Sequence, residues 1–284
     1  CIEENRYLMH TTTGGAAGVL AWLELWHQTE WPELDVYFTS VTDHWSTATI
    51  SGPNARNVLA KLCADIDLAA DQFKFLDWRE ATVAGVKARI FRISFTGELT
   101  YEVNVPSHYG RHLWESIMAA GEEFGITPYG TETMHVLRAE KGFIIVGQDT
   151  DGSMMPQDMN MDWIVGMNKS FSFVGKRSLS RSDSVREGRK QLVGLRTRDA
   201  RRVLPEGSQL VNDSNESVPM AMQGHVTSSY YSACLGHSIA LAVVKGGLSR
   251  KGDTIYSPQA DGSVIEAEIV DSLFYDPAGD RQNV

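Results

Sequence analysis

The hydrophobic pattern of this chain changes near Lys176, and that change constrains the fold more than any other feature. Up to residue 176, apolar residues at helical spacing alternate with short runs of strand-forming residues. Beyond residue 190 the helical spacing disappears, and short strands separated by Gly and Pro turns are predicted instead. These strands are predicted at 191–197, 208–212, 224–228, 239–244 and 264–270.

A polar segment rich in Ser and Arg, 177–190, separates the two patterns. The first part mixes helices and strands without a strict βαβ order, which predicts an α+β region with largely antiparallel sheets over 1–176. Strands are expected there at 7–12 and 36–41, on either side of a helix, and a hairpin is expected over 81–95 around Ala84-Gly85. We expect a polar linker over 177–190 and a small C-terminal β-barrel over 191–284.

The overall composition excludes several classes of partner. A net charge of −10 over 284 residues opposes binding to nucleic acid or to an anionic membrane. The sequence contains no run of about 18 apolar residues and no charged-then-apolar leader, so neither membrane insertion nor secretion is predicted. The three cysteines, Cys1, Cys63 and Cys234, are odd in number and far apart, which indicates a reducing compartment and no Cys-rich zinc site. We therefore expect a cytoplasmic protein.

The chain begins in an unusual way. Its first residue is Cys1 rather than Met, and residues 2–12 read as a turn followed by a strand already in progress. We therefore expect a fragment of a longer polypeptide.

Two motifs resemble cofactor or metal sites but lack required residues. The glycines of Thr13-Gly14-Gly15-Ala-Ala-Gly18 are adjacent, whereas a dinucleotide site needs Gly-x-Gly-x-x-Gly, so a tight turn is the better interpretation. His108 and His112 have the spacing of zinc ligands on a helix, but Tyr109 stands where a zinc protease needs Glu. The sequence therefore predicts no bound metal and no nicotinamide or flavin site.

The strand around Tyr101 carries the most informative carboxylate. Alternation places Tyr101 and Val103 on one face of this strand and Glu102 and Asn104 on the other. The carboxylate of Glu102 can accept two parallel N–H donors from a flat heterocycle. The alternative is an ordinary exposed carboxylate on a strand.

Arg138 and Trp163 are two further candidates with two interpretations each. Arg138 lies among apolar residues on a short helix, so it either holds a ligand carboxylate or bridges to Glu140 or Glu132. Trp163 either stacks on a flat heterocycle or fills the core, which large aromatic side chains do more often.

Six segments in order resemble the aminomethyltransferase (T-protein) family of glycine cleavage. A narrower match, Tyr-Gly-Thr-Glu-Thr-Met-His-Val-Leu-Arg-Ala-Glu-Lys-Gly over 129–142, looks like the tetrahydrofolate-binding region of the alpha subunits of heterotetrameric sarcosine oxidases. The resemblance implies a three-lobed arrangement around a folate channel, with the N-terminal part missing and a barrel as the last lobe. The six segments are 48–62, 95–105, 137–142, 171–179, 191–195 and 224–244.

The resemblance also implies a function. Tetrahydrofolate would capture the one-carbon unit from oxidative demethylation of sarcosine as 5,10-methylenetetrahydrofolate. FAD or FMN and NAD are expected elsewhere in the complex, in part on flavin-bearing partner subunits, so the isolated fragment should be inactive. The implied folate contacts are Phe95, Glu102, Arg138 and Trp163, with Tyr101 as a neighbouring candidate.

Two departures from the family pattern leave alternatives open. The family often reads Ala-Arg-Asp where this chain has Thr133-Met134-His135, so one basic contact to folate is missing or replaced. The family's catalytic acid is expected upstream of Cys1, which leaves the catalytic residue unknown. A stand-alone aminomethyltransferase of the glycine cleavage type, or a folate-binding assembly module without turnover, therefore remain alternatives.

Overall fold

The computed structural model describes all residues from Cys1 to Val284 and divides into two compact units. Unit 1 comprises Cys1–Ile93 and Thr100–Thr127, and unit 2 comprises Ser94–Leu99 and Pro128–Val284. The boundaries predicted at 176 and 190 stay predictions. All helices fall short of the length and apolar character that crossing a bilayer requires. The helices are α1 (Ala16–Glu30), α2 (Ala55–Ala60), α3 (Gly110–Gly121), α4 (Thr131–Glu140), α5 (Ser182–Val185) and α6 (Asp280–Asn283).

Unit 1 is built on a four-stranded antiparallel sheet. Its strands are β1 (Trp45–Ser51), β2 (Trp78–Val83), β3 (Val86–Phe91) and β4 (Thr100–Pro106), in the spatial order β1-β4-β3-β2. The predicted hairpin around Ala84-Gly85 is confirmed, and both turn residues have positive φ, at 49° and 81°. Such angles fit the two-residue turns that follow the twist of paired strands. The core of unit 1 includes Ile50, Leu59, Val83, Ile90, Val103, Val105, Leu113 and Ile117.

The first 49 residues differ from the prediction. The helix α1 forms as expected, but the strands predicted at 7–12 and 36–41 do not. The only ladder contact before β1 is an isolated bridge between Glu3 and Arg6. No residue before Ile50 is buried, so these segments lack the packed neighbour that stabilises an extended chain as a strand.

Unit 2 contains α4, a long irregular segment and a six-stranded antiparallel barrel. The barrel strands follow the spatial order β6-β7-β8-β5-β10-β9. Val211 and Tyr256 exchange two backbone hydrogen bonds, of 2.9 and 3.0 Å, which join the β6 end to β9 and nearly close the sheet. The predicted barrel is confirmed, although the sequence did not predict β9. The strands are β5 (Lys190–Thr197), β6 (Gln209–Leu210), β7 (Gly224–Ser232), β8 (His237–Lys245), β9 (Thr254–Pro258) and β10 (Val264–Val270).

Two glycines allow the barrel backbone to approach itself closely. A Cβ atom at Gly194 would collide with the carbonyl oxygen of Asp271, and one at Gly224 would collide with that of Val243. Backbone atoms cannot move aside as a flexible side chain can, so these positions require glycine. The barrel interior is filled by Val193, Leu195, Leu204, Leu210, Val226, Ala240, Ala242, Val244, Ile255, Ile265, Ala267 and Ile269.

Candidate functional site

The polar face of the unit 1 sheet carries Glu102 near the middle of β4. Tyr101 and Val103 are fully buried on the opposite face, so the predicted alternation of this strand is confirmed. Glu102 is half-buried, and its carboxylate makes no hydrogen bond or ion pair within the chain. Partial removal from water raises the pKa of this carboxyl above its ordinary value. The site therefore holds a partly desolvated carboxylate that has no hydrogen-bond partner.

Aromatic rings stand beside this carboxylate. Phe91 on β3 is the direct cross-strand partner of Glu102, and Thr49 on β1 is its partner on the other side. The Phe91 ring stacks on Trp78 at 6.2 Å between centroids and meets the edge of the His10 ring at 4.6 Å. Sequence reasoning missed all three rings, because the relation of Phe91 and Trp78 to Glu102 depends on strand register and His10 lies outside the strands. The only sequence signal was the position of Phe91 in the hairpin predicted over 81–95.

The neighbouring Asn104 and Arg89 side chains on this face are already paired. Asn104 lies opposite Arg89 and accepts a hydrogen bond from Thr47 Oγ1 at 2.5 Å. Arg89 donates to Glu80 at 3.1 Å, and its guanidinium lies 4.9 Å from the centroid of the Trp45 ring. Glu102 is thus left without a compensating charge, which is the state in which a carboxylate gains most from two charge-assisted N–H bonds.

The neutral form of His10 is favoured beside this site. Partial burial of the ring lowers the pKa of His10, and the positive charge of Arg89 lowers it further. The ring therefore presents one N–H donor and one free nitrogen acceptor near neutral pH.

Tyr101 lies on the other side of the sheet from Glu102. Its ring is fully buried, packs against Phe73 at 5.7 Å, and carries a hydroxyl without a hydrogen-bond partner. A ligand on the polar face is separated from this ring by the sheet backbone. The role of Tyr101 as a folate contact stays a prediction, and one substitution tests it.

Replacing Tyr101 with phenylalanine is expected to leave folate affinity unchanged and to keep or raise stability by up to about 1 kcal/mol. The reason is that the change removes a buried hydroxyl that has no partner and preserves the ring. Urea unfolding and folinate titration of the Tyr101→Phe variant measure the two effects. A tenfold loss of folinate affinity at unchanged stability would instead make Tyr101 a contact.

Arg138 in unit 2 is completely buried and fixed by a buried carboxylate. Its Nη1 atom lies 2.5 Å from the Asp149 carboxylate and donates to the Phe143 carbonyl at 3.0 Å, while Nη2 donates to Ser228 Oγ at 2.6 Å. The partner is therefore Asp149 rather than Glu140 or Glu132. Sequence reasoning missed Asp149, eleven residues further along the chain. The role of Arg138 as a folate contact stays a prediction.

Asp149 organises the loop that follows α4. Its two oxygens accept from Thr227, from Ser228 and from the backbone N–H of Ile145, at 2.6, 2.7 and 2.8 Å. This charge is satisfied on every side, as buried carboxylates must be to offset their desolvation. The pair therefore holds the 143–149 loop against β7.

The remaining two candidates also lie in unit 2. The Phe95 ring stacks on Phe143 at 6.4 Å, so Phe95 and Arg138 share a neighbour. Trp163 is 78% exposed and therefore does not fill the core, although an exposed ring alone does not identify a ligand. Glu102 and Tyr101 belong to unit 1, and Phe95, Arg138 and Trp163 belong to unit 2.

Comparison with known proteins places this geometry in a family. Residues 1–169 match the GCVT N-terminal domain, and residues 190–276 match the glycine cleavage T-protein C-terminal barrel domain. The sarcosine oxidase subunit alpha of Corynebacterium sp. (strain P-1) is 52% identical over 99% of this chain, and that of Rhizobium meliloti is 38% identical over 100% of this chain. The chain covers 29% of each of these two relatives.

Stand-alone relatives share the same architecture. The aminomethyltransferase of Bacillus subtilis is 29% identical over 96% of this chain, which covers 71% of that protein. The solved structure of glycine cleavage system aminomethyltransferase T from Bartonella henselae superposes with a TM-score of 0.75 at 21% identity, covering 92% of this chain and 66% of that one. The T-protein-like fold predicted from sequence is thereby confirmed. The chain belongs to the glycine cleavage T-protein family, as a GCVT N-terminal domain followed by the family's C-terminal barrel domain.

Proposed function

We propose that this chain is the tetrahydrofolate-binding part of a sarcosine oxidase alpha subunit. The observation that carries the proposal is its 52% identity, over 99% of its residues, to a protein named sarcosine oxidase subunit alpha. The chain spans less than a third of that relative, so the oxidase activity and its other subunits belong to the proposal. Flavin and nicotinamide chemistry is assigned to the remainder of such a complex.

The polar face of unit 1 fits the pterin ring of folate. A pterin presents a ring N–H beside an exocyclic amine, and the partnerless Glu102 carboxylate can accept both hydrogen bonds. Phe91, Trp78 and His10 provide aromatic surface on the same side of the sheet. A flat heterocycle with two parallel donors uses both parts of this combination, since it can pair with the carboxylate and stack on the rings.

When bound, tetrahydrofolate supplies the nitrogen nucleophile that accepts a one-carbon unit. The residues of this chain orient and shield it: Glu102 fixes the pterin edge, and the rings around Phe91 reduce the access of water. The proposed product is 5,10-methylenetetrahydrofolate, formed from the methyl group that sarcosine loses on oxidation. No residue of this chain is assigned the role of catalytic acid.

Folate affinity should fall on acidification because Glu102 must be ionised to accept two donors. The pKa of Glu102 is raised, so protonation competes with the ligand at a higher pH than it would at an ordinary carboxyl. Affinity is therefore complete above the pKa of Glu102 and declines as the pH falls through it. Folinate titrations from about pH 7 to about pH 5 measure this slope. The Glu102→Gln variant lacks the titrating carboxyl and so corrects for titration of the ligand. An equal change of affinity with pH in both proteins would contradict the role of Glu102 as the pterin acceptor.

The activity itself is tested by comparing the isolated chain with the complete oxidase. We expect the isolated chain to bind folinate but to produce neither peroxide nor folate product from sarcosine. The full alpha subunit with its partner subunits should yield methylenetetrahydrofolate. Oxidation of sarcosine gives an imine that hydrolyses in water, so it reaches folate only by a route shielded from solvent. Sarcosine-dependent peroxide from the isolated chain would refute the proposal.

A stand-alone aminomethyltransferase is the second candidate, supported by the match to most of the Bacillus subtilis enzyme. An aminomethylated lipoyl carrier protein distinguishes the two, because only the glycine cleavage reaction consumes it. Folinate binding without turnover of either substrate, even in the complete complex, would identify an assembly module.

A further inference from the structure

A surface segment of unit 2, residues 164–181, exposes several large apolar side chains. Ile164, Met167, Phe171 and Val174 are 52%, 43%, 60% and 43% exposed, although they lie within eleven residues of one another. Single exposed apolar residues are common on soluble proteins, but a concentration of this kind marks a surface that contacts something else.

A groove runs beside these side chains. It has a volume of about 550 Å³ and is lined mainly by apolar atoms of Met155, Pro156, Ile164, Val165, Phe173 and Leu179. A concave apolar site of this size accepts protruding side chains rather than a flat surface.

The charge of the segment is opposite to that of the chain. Residues 164–181 contain Lys169, Lys176, Arg177 and Arg181 but no Asp or Glu, whereas the whole chain carries −10. None of these four side chains forms an ion pair within the chain. The ammonium groups of Lys169 and Lys176 lie 5.5 and 5.7 Å from the centroids of the Phe171 and Phe173 rings. Lys169 lines the groove, and the Lys176 ammonium donates only to the backbone carbonyls of Lys169 and Phe171. The segment therefore carries four positive charges without a carboxylate partner in the chain.

We propose that the 164–181 groove is a docking surface for a partner subunit that inserts apolar side chains flanked by carboxylates. Complementary charge around an apolar centre is what gives such contacts specificity and a fast association rate. A second copy of this chain is disfavoured in a symmetric contact, since the same four cations would meet each other. An anionic bilayer is disfavoured by the concave shape and by the overall charge of −10.

The partner sought is another subunit of the same oxidase, so this proposal rests on the proposed function. The probe is the set of purified non-alpha subunits, mixed with the full-length alpha subunit. We expect hydrogen exchange at the amides of 164–181 to slow on assembly. The Arg177→Glu, Arg181→Glu double variant should associate at least tenfold more weakly and with less dependence on salt, because two attractive charges become repulsive.

The control variant is Lys245→Glu, which reverses an exposed cation of β8 that also lacks an ion pair. It should associate like the unmodified chain. Both arginines are exposed and their side chains form no hydrogen bond or ion pair within the chain, so the double variant should fold normally. Unchanged exchange at 164–181 in the unmodified complex would overturn the proposal whether or not any variant folds.

Three further results would each overturn it. The first is full association of the double variant, and the second is self-association of the unmodified chain that the double variant loses. The third is charge-dependent binding to phosphatidylserine-containing vesicles. Folinate titration of the same proteins separates the two proposals: a chain that binds folinate but does not dock contradicts only the groove, and one that docks without folinate binding contradicts only the folate site.

Discussion

The Glu102→Gln variant is expected to bind folinate about 2–4 kcal/mol more weakly, or roughly 30- to 1,000-fold. Glutamine has nearly the shape of glutamate but replaces one acceptor oxygen with an N–H₂ donor. The new N–H₂ group would face a pterin N–H, so one hydrogen bond is lost and two N–H donors point at each other. The full charge that strengthens both bonds is lost as well.

Isothermal titration calorimetry with folinate measures this effect. The matched control is Glu115→Gln, an exposed carboxylate on α3 that pairs only with Arg111 on the same helix. It should bind like the unmodified protein. The free energy of unfolding of the Glu102 variant should not fall, because its carboxylate is half-buried without a partner and gains nothing from the fold. Unchanged affinity in the Glu102 variant would remove this residue from the site.

The Arg138→Ala variant is expected to lose about 3–5 kcal/mol of unfolding free energy. Removing the guanidinium leaves the Asp149 carboxylate buried without its cation and leaves a cavity beside β7. The Phe143 carbonyl and Ser228 also lose a hydrogen bond each. Denaturant unfolding followed by circular dichroism measures the loss.

Two controls separate the buried charge from loss of packing. In the Arg138→Met, Asp149→Leu double variant no uncompensated charge remains, so part of the stability should return. The Ser228 hydroxyl and the Ile145 N–H still lack their acceptor, so the recovery should be incomplete. Arg198→Ala breaks an exposed pair with Glu266 and should cost less than about 1 kcal/mol. A loss of that small size at Arg138 would show that the buried pair does not stabilise unit 2.

The sequence identified the faces of β4 correctly because alternation is a local property of an extended chain. The buried Tyr101 and half-buried Glu102 follow directly from the period of two. Alternation does not give register, however, and register is what puts Phe91 opposite Glu102. The aromatic half of the candidate site was therefore beyond sequence reasoning.

Longer-range pairing failed for a similar reason. Arg138 has two carboxylates close in sequence, Glu132 and Glu140, but they lie six and two residues away, and neither has the three- or four-residue spacing of a helical pair. The structure instead pairs it with Asp149, through a loop whose path depends on β7. The strands predicted at 7–12 and 36–41 had suitable residues but no packed neighbour, so local propensity did not decide their conformation.

The bridge between Val211 and Tyr256 has a consequence for aggregation. By joining the end of β6 to β9, it pairs main-chain groups that would otherwise form the edge of an open sheet. Unpaired edge strands can pair with strands of other molecules, and closure of the barrel removes this route to aggregation. The sheet of unit 1 has no such closure and ends at β1 and β2. Intermolecular strand addition during heating or partial unfolding should therefore begin in unit 1 and spare the barrel.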